Sequence, residues 1–287
     1  MNAQHCQGEN TTCKKPYTVI HYHYSKTICN EGKIMDFSTI SDTVSDFNGF
    51  KMYEFKFDGC DCKIVEPKEP LPGKRWIWKA EYFHAFQSFE TEMLNRGYYY
   101  CYMKTEYAFG SPATGKHWDK FYELLTEKYG FARKALLFGL SVGGLYIYNW
   151  AVNNTDKISC LYADNPVCDI KSWPGGKGCG PGSPDHWQKL FTCYGFASEA
   201  EALAWRGNPV DTLKVIVDAG IPLIHAAAIE DEVVPITENT DVMEKNCLAL
   251  GGKITVFRHH GHHHPHHGVD DFKLLIDTIV AADESNR

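Results

Sequence analysis

The sequence predicts an α/β protein with a mainly parallel sheet of about eight strands flanked by helices. From residue 50 onward, runs rich in β-branched and aromatic residues alternate with segments of helical period. This alternation is typical of a parallel sheet that helices cover. The composition, 44% hydrophobic and 23% charged, is that of an ordinary globular protein. We expect one domain over residues 50–287, preceded by an N-terminal extension at residues 1–49.

Two strands are expected to form a hairpin, and the rest to build the parallel part of the sheet. The runs at 53–57 and 60–66 flank Asp58 and Gly59, a dipeptide that favours a tight turn. Further strands are predicted at 75–80, 98–103, 134–139, 158–163, 221–228 and 253–258. Helices are predicted at 89–97, 117–130, 142–154, 198–205, 211–220, 236–252 and 270–282.

Charge and hydropathy argue against nucleic-acid and membrane partners. The formal net charge is −7, and no Lys/Arg stripe compensates for it. No stretch reaches the roughly 18 apolar residues of a membrane span, and residues 1–15 lack the apolar centre of a signal peptide. We therefore expect a cytoplasmic protein without a nucleic-acid or membrane partner. The eleven cysteines mostly lie in apolar runs, which predicts buried free thiols.

The segment at residues 169–220 interrupts the alternation of strands and helices after the sixth predicted strand. It is rich in glycine and proline at first and then helical. Loops of this length in a compact domain tend to be lids or binding loops. The sequence therefore predicts a lid over the functional site, and the alternative is a packed cap without substrate contact.

A nucleophile is predicted at Ser141. Residues 139–143 match G-x-S-x-G and lie between a predicted strand and a predicted helix. This is the nucleophile elbow of the α/β-hydrolase fold, in which glycines on both sides of the serine leave room for a strained turn. A serine hydroxyl is a poor nucleophile at neutral pH, so a histidine and a carboxylate are needed to activate it.

The chain order expected for this fold is serine, acid, histidine. Asp231 follows the strand at 221–228, at the strand end where catalytic groups collect, and is the predicted acid. Glu230 and Glu232 lie in the same loop, and Asp164 is a more distant alternative. The base is expected within His259–Gly268, after the last strand. Its seven histidines also match a metal-binding tract.

From about Pro72 onward the chain resembles bacterial α/β-hydrolases related to acetyl xylan esterases and other carbohydrate esterases. The resemblance is carried by WIWKAEYF, GLSVGG, YADNPVCDIKSWPGGKG, GNPVDTL, DEVVP and HHPH. In such proteins the last motif usually begins G-H-H-P-H with the first histidine as base, which corresponds to His263. Because His262 replaces the expected glycine here, His262, His263 and His264 all remain candidates.

The remaining site residues follow from their positions in the predicted fold. The oxyanion hole should use the backbone N–H of Val142 and a second N–H from Ala80 or Glu81. Aromatic walls suited to a sugar ring are expected from Trp78, Tyr82, Trp173 and Trp187. Such aromatic side chains are more often simply core.

No cofactor motif is found, so we expect an ester hydrolase without cofactor or metal. The resemblance implies a small-molecule or oligosaccharide ester as the substrate, with a short acyl group on a carbohydrate. The alternatives are a serine peptidase similar to prolyl oligopeptidase and a non-catalytic or metal-binding protein on the same fold.

Overall fold

The sheet has nine strands in the order β1-β2-β3-β5-β4-β6-β7-β8-β9. The computed structural model describes residue 36 and residues 39–106, 108–263 and 268–287. The strands are β1 Thr43–Phe47, β2 Phe50–Phe57, β3 Cys60–Glu66, β4 Trp76–Ala80, β5 Tyr99–Lys104, β6 Ala135–Leu140, β7 Ile158–Asp164, β8 Leu223–Ala228 and β9 Ile254–His259. The helices are α1 Ser88–Asn95, α2 Pro112–Glu123, α3 Gly143–Ala151, α4 Pro184–Tyr194, α5 Glu199–Ala204, α6 Pro209–Asp218, α7 Thr240–Ala249 and α8 Phe272–Ser285.

The antiparallel end of the sheet begins earlier in the chain than the hairpin that the sequence predicts. β1 pairs with β2 and lies before the expected domain start at residue 50, whereas most of the expected N-terminal extension falls outside the described residues. β2 and β3 form the predicted hairpin, with positive φ angles at Asp58 and Gly59. β3 also pairs antiparallel with β5, and from β5 to β9 neighbouring strands are parallel.

Both faces of the parallel strands are covered by helices, as predicted. Alternate residues of β4 show this, because Trp76 and Trp78 pack in one apolar cluster and Ile77 in the other. The first cluster lies against α2, α3, α4, α6 and α7, and the second against α1 and α8. Burial on both faces explains why these strands are continuously apolar in sequence.

The segment between β7 and β8 folds into α4, α5 and α6. Trp187 and Leu190 of α4 are buried in the apolar cluster on that face of the sheet. α4 was not predicted, although Ser183 at its N-cap and Pro184 at its first position are common at helix starts. All three helices of the segment pack against the same apolar cluster.

A buried carboxylate joins the last turn of α8 to the sheet. Asp283 has no exposed surface and accepts hydrogen bonds from Tyr98 Oη (2.7 Å) and Ser159 Oγ. Arg287, one turn later, donates to the same carboxylate from Nε (2.8 Å) and Nη2 (2.6 Å). The end of α8 is thus tied to residues beside β5 and β7.

The eight described cysteines are free, and six of them are buried, which agrees with the prediction of buried thiols. Among the described residues, no helix combines the length and the apolar character needed to cross a membrane.

Candidate active site

Ser141 lies in the sharp turn between β6 and α3, in a conformation that side-chain-bearing residues seldom adopt. Its φ angle is +51°. Backbone hydrogen bonds hold it there, since its N–H donates to Asp164 O (2.9 Å) and its carbonyl accepts from the amides of Gly144 (2.9 Å) and Val167 (2.8 Å). Strain of this kind persists only where the surrounding structure enforces it, and it is concentrated at functional sites.

The glycines around Ser141 are required by close backbone packing. A Cβ on Gly139 would lie 2.5 Å from Gly143 O, and a Cβ on Gly143 would lie 2.9 Å from Ala80 O. Both distances are shorter than van der Waals contact allows. The elbow therefore packs directly against the end of β4, and larger residues at these positions would push the two apart.

Ser141, His263 and Asp231 form one hydrogen-bonded chain. Ser141 Oγ lies 2.8 Å from His263 Nε2, and His263 Nδ1 lies 2.6 Å from Asp231 Oδ2. The other oxygen of Asp231 accepts from the amides of Val233 (2.9 Å) and Val234 (2.8 Å). The His263 and Asp231 side chains are almost fully buried. In this arrangement the imidazole can take the serine proton while the carboxylate orients the ring.

The other acidic candidates have different partners. Asp164 accepts hydrogen bonds from the Tyr162 hydroxyl (3.1 Å) and from the amide of Gly268 (2.8 Å). Glu230 and Glu232 contact other histidines of the loop after β9. Of these four described candidates, Asp231 is the one that the structure hydrogen-bonds to His263.

The histidine candidates also differ in their burial and hydrogen-bond partners. His262 is more than half exposed, and its Nδ1 donates to the backbone oxygen of Glu230 (3.0 Å). His263 is buried and bonded to Ser141. His264 lies outside the described residues. Among the described candidates, only His263 is hydrogen-bonded to the serine.

The loop that carries His263 is held by Glu230. Its carboxylate accepts from the amide of Gly261 (2.6 Å) and from His260 Nδ1 (2.7 Å). The hydrogen bond from Gly261 is the main cause that lowers the pKa of Glu230 to about 2, and the bond from His260 adds to it. Glu230 in turn raises the pKa of His260. A charged pair therefore holds this loop in weakly acidic solution.

The predicted oxyanion positions lie around the elbow. Val142 is buried at the start of α3, directly after Ser141. Ala80 ends β4 and contacts the elbow at Gly143, as described above. Glu81 follows with a positive φ angle of 55°, and burial raises the pKa of its carboxyl group.

Three of the four predicted aromatic walls are buried in the structure. Trp78 has no exposed surface and stacks on Trp118 with ring centroids 4.2 Å apart, so it has no face to offer to a substrate. Trp173 and Trp187 are more than nine-tenths buried. Tyr82 is half-buried and lines an open groove beside β5. Trp78 thus belongs to the core, because its side of β4 is covered by α2.

A buried ion pair next to the site was not singled out from the sequence. Lys79 and Glu90 have no exposed surface and form an ion pair between β4 and α1. Lys79 Nζ also donates to Ala85 O (2.8 Å), in the loop after β4. Burial lowers the pKa of Lys79 and raises that of Glu90. The sequence signal that could have identified this pair is that Lys79 and Glu90 have opposite charges and each lies within an apolar pattern.

The described residues contain no group of three or more His, Cys, Asp and Glu side chains that could hold a metal ion. His264, His266 and His267 of the histidine-rich loop lie outside them.

Solved structures with the same fold are numerous, although no protein-family model and no curated protein matches the sequence. A puromycin-hydrolyzing peptidase from Mycobacterium tuberculosis has a TM-score of 0.64 at 13% identity, over 83% of this chain and 39% of its own. A cold-adapted esterase from an Arctic intertidal metagenomic library has a TM-score of 0.57 at 12% identity, over 86% of this chain and 99% of its own. The chain has the α/β-hydrolase fold. Porphyromonas gingivalis dipeptidyl peptidase 4 is a further match, with a TM-score of 0.61 at 12% identity, over 84% of this chain and 36% of its own. The chain thus spans less than half the length of these two peptidases.

Proposed function

We propose that this chain is a serine hydrolase that cleaves carboxylic esters through an acyl-enzyme on Ser141. The observation that carries the proposal is the hydrogen-bonded chain from Ser141 through His263 to Asp231, at a strained strand-to-helix turn. Nucleophile, base and orienting acid are the three groups that acyl transfer by a serine requires. The side chains of His263 and Asp231 are nearly fully buried, which supports a geometry that is in place before substrate binds.

The reaction proceeds in two halves. As Ser141 Oγ attacks the ester carbonyl carbon, His263 Nε2 takes the hydroxyl proton and becomes an imidazolium stabilised by Asp231. The tetrahedral intermediate collapses, the C–O bond to the alcohol breaks, and the alcohol leaves with the proton from His263. Water then attacks the acyl-enzyme with His263 again as base, which releases the acid and restores Ser141.

The negative oxygen of the tetrahedral intermediate needs hydrogen-bond donors. The N–H of Val142 is one, because this residue follows the nucleophile at the start of α3. The end of β4 lies directly beside the elbow, which supports a second donor there, from the N–H of Ala80 or Glu81. The strained conformation of Glu81 supports a functional role for this turn.

The structural neighbours include both peptidases and an esterase, so amide hydrolysis is the second candidate. One point favours an ester. The sequence motifs resemble carbohydrate esterases, which supports a short acyl group, such as acetyl, on a sugar.

The first test is hydrolysis of p-nitrophenyl acetate and butyrate by the wild type and by Ser141→Ala. We expect turnover by the wild type and a loss of about 10⁴-fold or more in the variant, with no effect of EDTA. Turnover that persists in Ser141→Ala, or that EDTA abolishes, would contradict the proposal.

A second test separates ester from amide hydrolysis. Acetylated xylo-oligosaccharides and aminoacyl p-nitroanilides are offered to the same two proteins. Release of acetate by the wild type alone supports a carbohydrate esterase. Cleavage of the anilides with higher kcat/KM than the esters would instead assign a peptidase.

A further inference from the structure

The end of β7 lies beside the candidate active site. In the sheet, β7 is placed between β6, which leads to Ser141, and β8, which leads to Asp231. The last residue of β7 is Asp164, and Asn165 follows it; each is only 2% exposed. The proposed mechanism uses neither side chain, so the presence of two buried polar residues next to the nucleophile requires an explanation.

The backbone of residues 164–167 encloses the nucleophile elbow. The N–H of Ser141 donates to Asp164 O (2.9 Å), and the N–H of Val167 donates to Ser141 O (2.8 Å). A Cβ on Gly144 would lie 2.7 Å from Pro166 Cβ and from Val167 O, so this segment and the start of α3 are in close contact. The elbow therefore cannot shift without the end of β7.

The carboxylate of Asp164 holds the loop that carries His263. Its Oδ2 accepts hydrogen bonds from the N–H of Gly268 (2.8 Å) and from the hydroxyl of Tyr162 (3.1 Å), a residue of the same strand. Nearer the start of the loop, the N–H of Gly261 is bound to a carboxylate as described above. In the chain, His263 thus lies between two positions that hydrogen bonds hold to the rest of the fold.

The side chain of Asn165 holds the strand end that leads to Asp231. Asn165 Oδ1 accepts from the N–H of Ala228 (2.7 Å), the last residue of β8, and the N–H of Asp231 donates to Ala228 O (3.3 Å). The φ angle of Asn165 is +43°, a conformation that asparagine adopts more often than most residues with a side chain. Such strain is concentrated at functional sites.

We infer that Asp164 and Asn165 are positioning residues, which set the distances from His263 to Ser141 and to Asp231. Because the two residues are adjacent, one short stretch of backbone connects the nucleophile, the base and the acid. The inference rests on the proposed function, since proton transfer requires heavy atoms about 2.6–3.2 Å apart. A displacement of about 1 Å in such a site can reduce the rate by about 10²-fold.

The first test is a pair of variants that remove the two side-chain acceptors. Asp164→Ala leaves the backbone bond to Ser141 in place, and Asn165→Gly keeps a residue that adopts positive φ without strain. Both are assayed with p-nitrophenyl acetate, alone and combined with His263→Ala. We expect kcat to fall by about 10²-fold in each single variant, with KM nearly unchanged. With His263→Ala no further loss is expected, because the base that they position is then absent.

The matched control is Asp283→Ala, because Asp283 is also a buried carboxylate that accepts from a hydroxyl of β7, at the opposite end of the strand. Its Tm should fall, as in Asp164→Ala, while kcat stays near the wild-type value. A variant at position 164 or 165 with wild-type kcat would remove that residue from the inference. Equal losses with and without His263→Ala would show that the residues only support the fold, and would overturn it.

A second measurement does not depend on turnover. The proton between His263 Nδ1 and Asp231 Oδ2, which are 2.6 Å apart, should give a ¹H NMR signal far downfield of the amide protons. We expect this signal in the wild type and in Asp283→Ala, and its broadening or loss in Asp164→Ala and Asn165→Gly. A signal unchanged in both of these variants would overturn the inference. If the signal behaves as expected but the wild type hydrolyses neither esters nor anilides, the proposed function fails and the positioning role stands.

Discussion

At the scale of single residues, the carboxylate of Asp231 acts only as an acceptor. It receives hydrogen bonds from His263 and from the amides of Val233 and Val234. Asp231→Asn would keep the shape but place an NH₂ group against at least one of these donors. The His263 tautomer that can accept the serine proton would then be disfavoured, and kcat for p-nitrophenyl acetate should fall by about 10³–10⁴-fold.

The matched control for this variant is Glu232→Gln. Glu232 lies in the same loop, but its side chain is largely exposed and is 3.5 Å from His262. Its kcat should stay near the wild-type value. Equal losses in the two variants would show that the loop, and not the Asp231 carboxylate, accounts for the effect.

His225 is a second residue whose burial has a measurable result. It lies fully buried between the hydroxyls of Tyr148 (2.7 Å) and Thr240 (3.1 Å), and burial lowers its pKa to about 3. The unfolded chain takes up this proton near pH 6.5 and the folded chain does not. The free energy of unfolding should therefore fall as the pH drops from about 7 toward 3, by about 2 kcal/mol between pH 7 and pH 5.

Urea denaturation at pH 7 and pH 5 measures this effect. In His225→Gln the side chain still offers a donor and an acceptor but does not titrate, so its free energy of unfolding should change less between the two pH values. An equal pH dependence in wild type and variant would mean that His225 is not the group responsible.

At the scale of elements, the loop after β9 depends on Glu230. Its contribution is complete above the unfolded pKa of glutamate, near 4.5, and is lost as the pH falls toward about 2. The contribution of His260 is complete below about 6.5 and is lost as the pH rises through its raised pKa. Glu230→Gln should therefore lower Tm most between about pH 4.5 and 6.5, a window set by these pKa values.

Thermal scans of wild type and Glu230→Gln from pH 3 to pH 9 test this prediction. Because His263 belongs to the same loop, kcat/KM should fall severalfold in the variant as well. A Tm difference that is constant across the whole pH range would contradict the assignment to the charged pair.

The connection between β4 and α1 depends on the buried pair Lys79 and Glu90. Lys79→Met leaves Glu90 without a counter-charge in an apolar environment. This should lower the free energy of unfolding by about 3–5 kcal/mol. Combining it with Glu90→Leu removes the unpaired charge and should restore much of the loss. Urea denaturation of both variants tests the pair, and a double variant as unstable as Lys79→Met would argue against it.

At the scale of the whole molecule, strand order explains why the candidate site was predictable. Ser141, Asp231 and His263 each follow a strand of the parallel part of the sheet, and the carboxyl ends of such strands lie at one edge. Their order along the chain and the glycines beside Ser141 were enough to place them together. The choice among neighbouring histidines needed side-chain positions, which the sequence does not provide.

Elsewhere the sequence signals were weak for physical reasons. β1 is a short edge strand, and four of its five side chains are exposed or only partly buried, so its conformation depends mainly on pairing with β2. Trp78 is predicted as a substrate wall because it lies near the predicted oxyanion residues, with a core position as the alternative. Since β4 is apolar on both faces, no alternation of residues decides between the two.

The carboxylate of Asp283 has a consequence for how the molecule opens. The last turn of a helix usually frays, and its amide protons then exchange readily with solvent. Here the last turn of α8 cannot unwind without breaking the bonds to Tyr98 and Ser159 and exposing a buried charge. Its amides should exchange with deuterium as slowly as those of β7. The end of this helix thus opens together with the sheet.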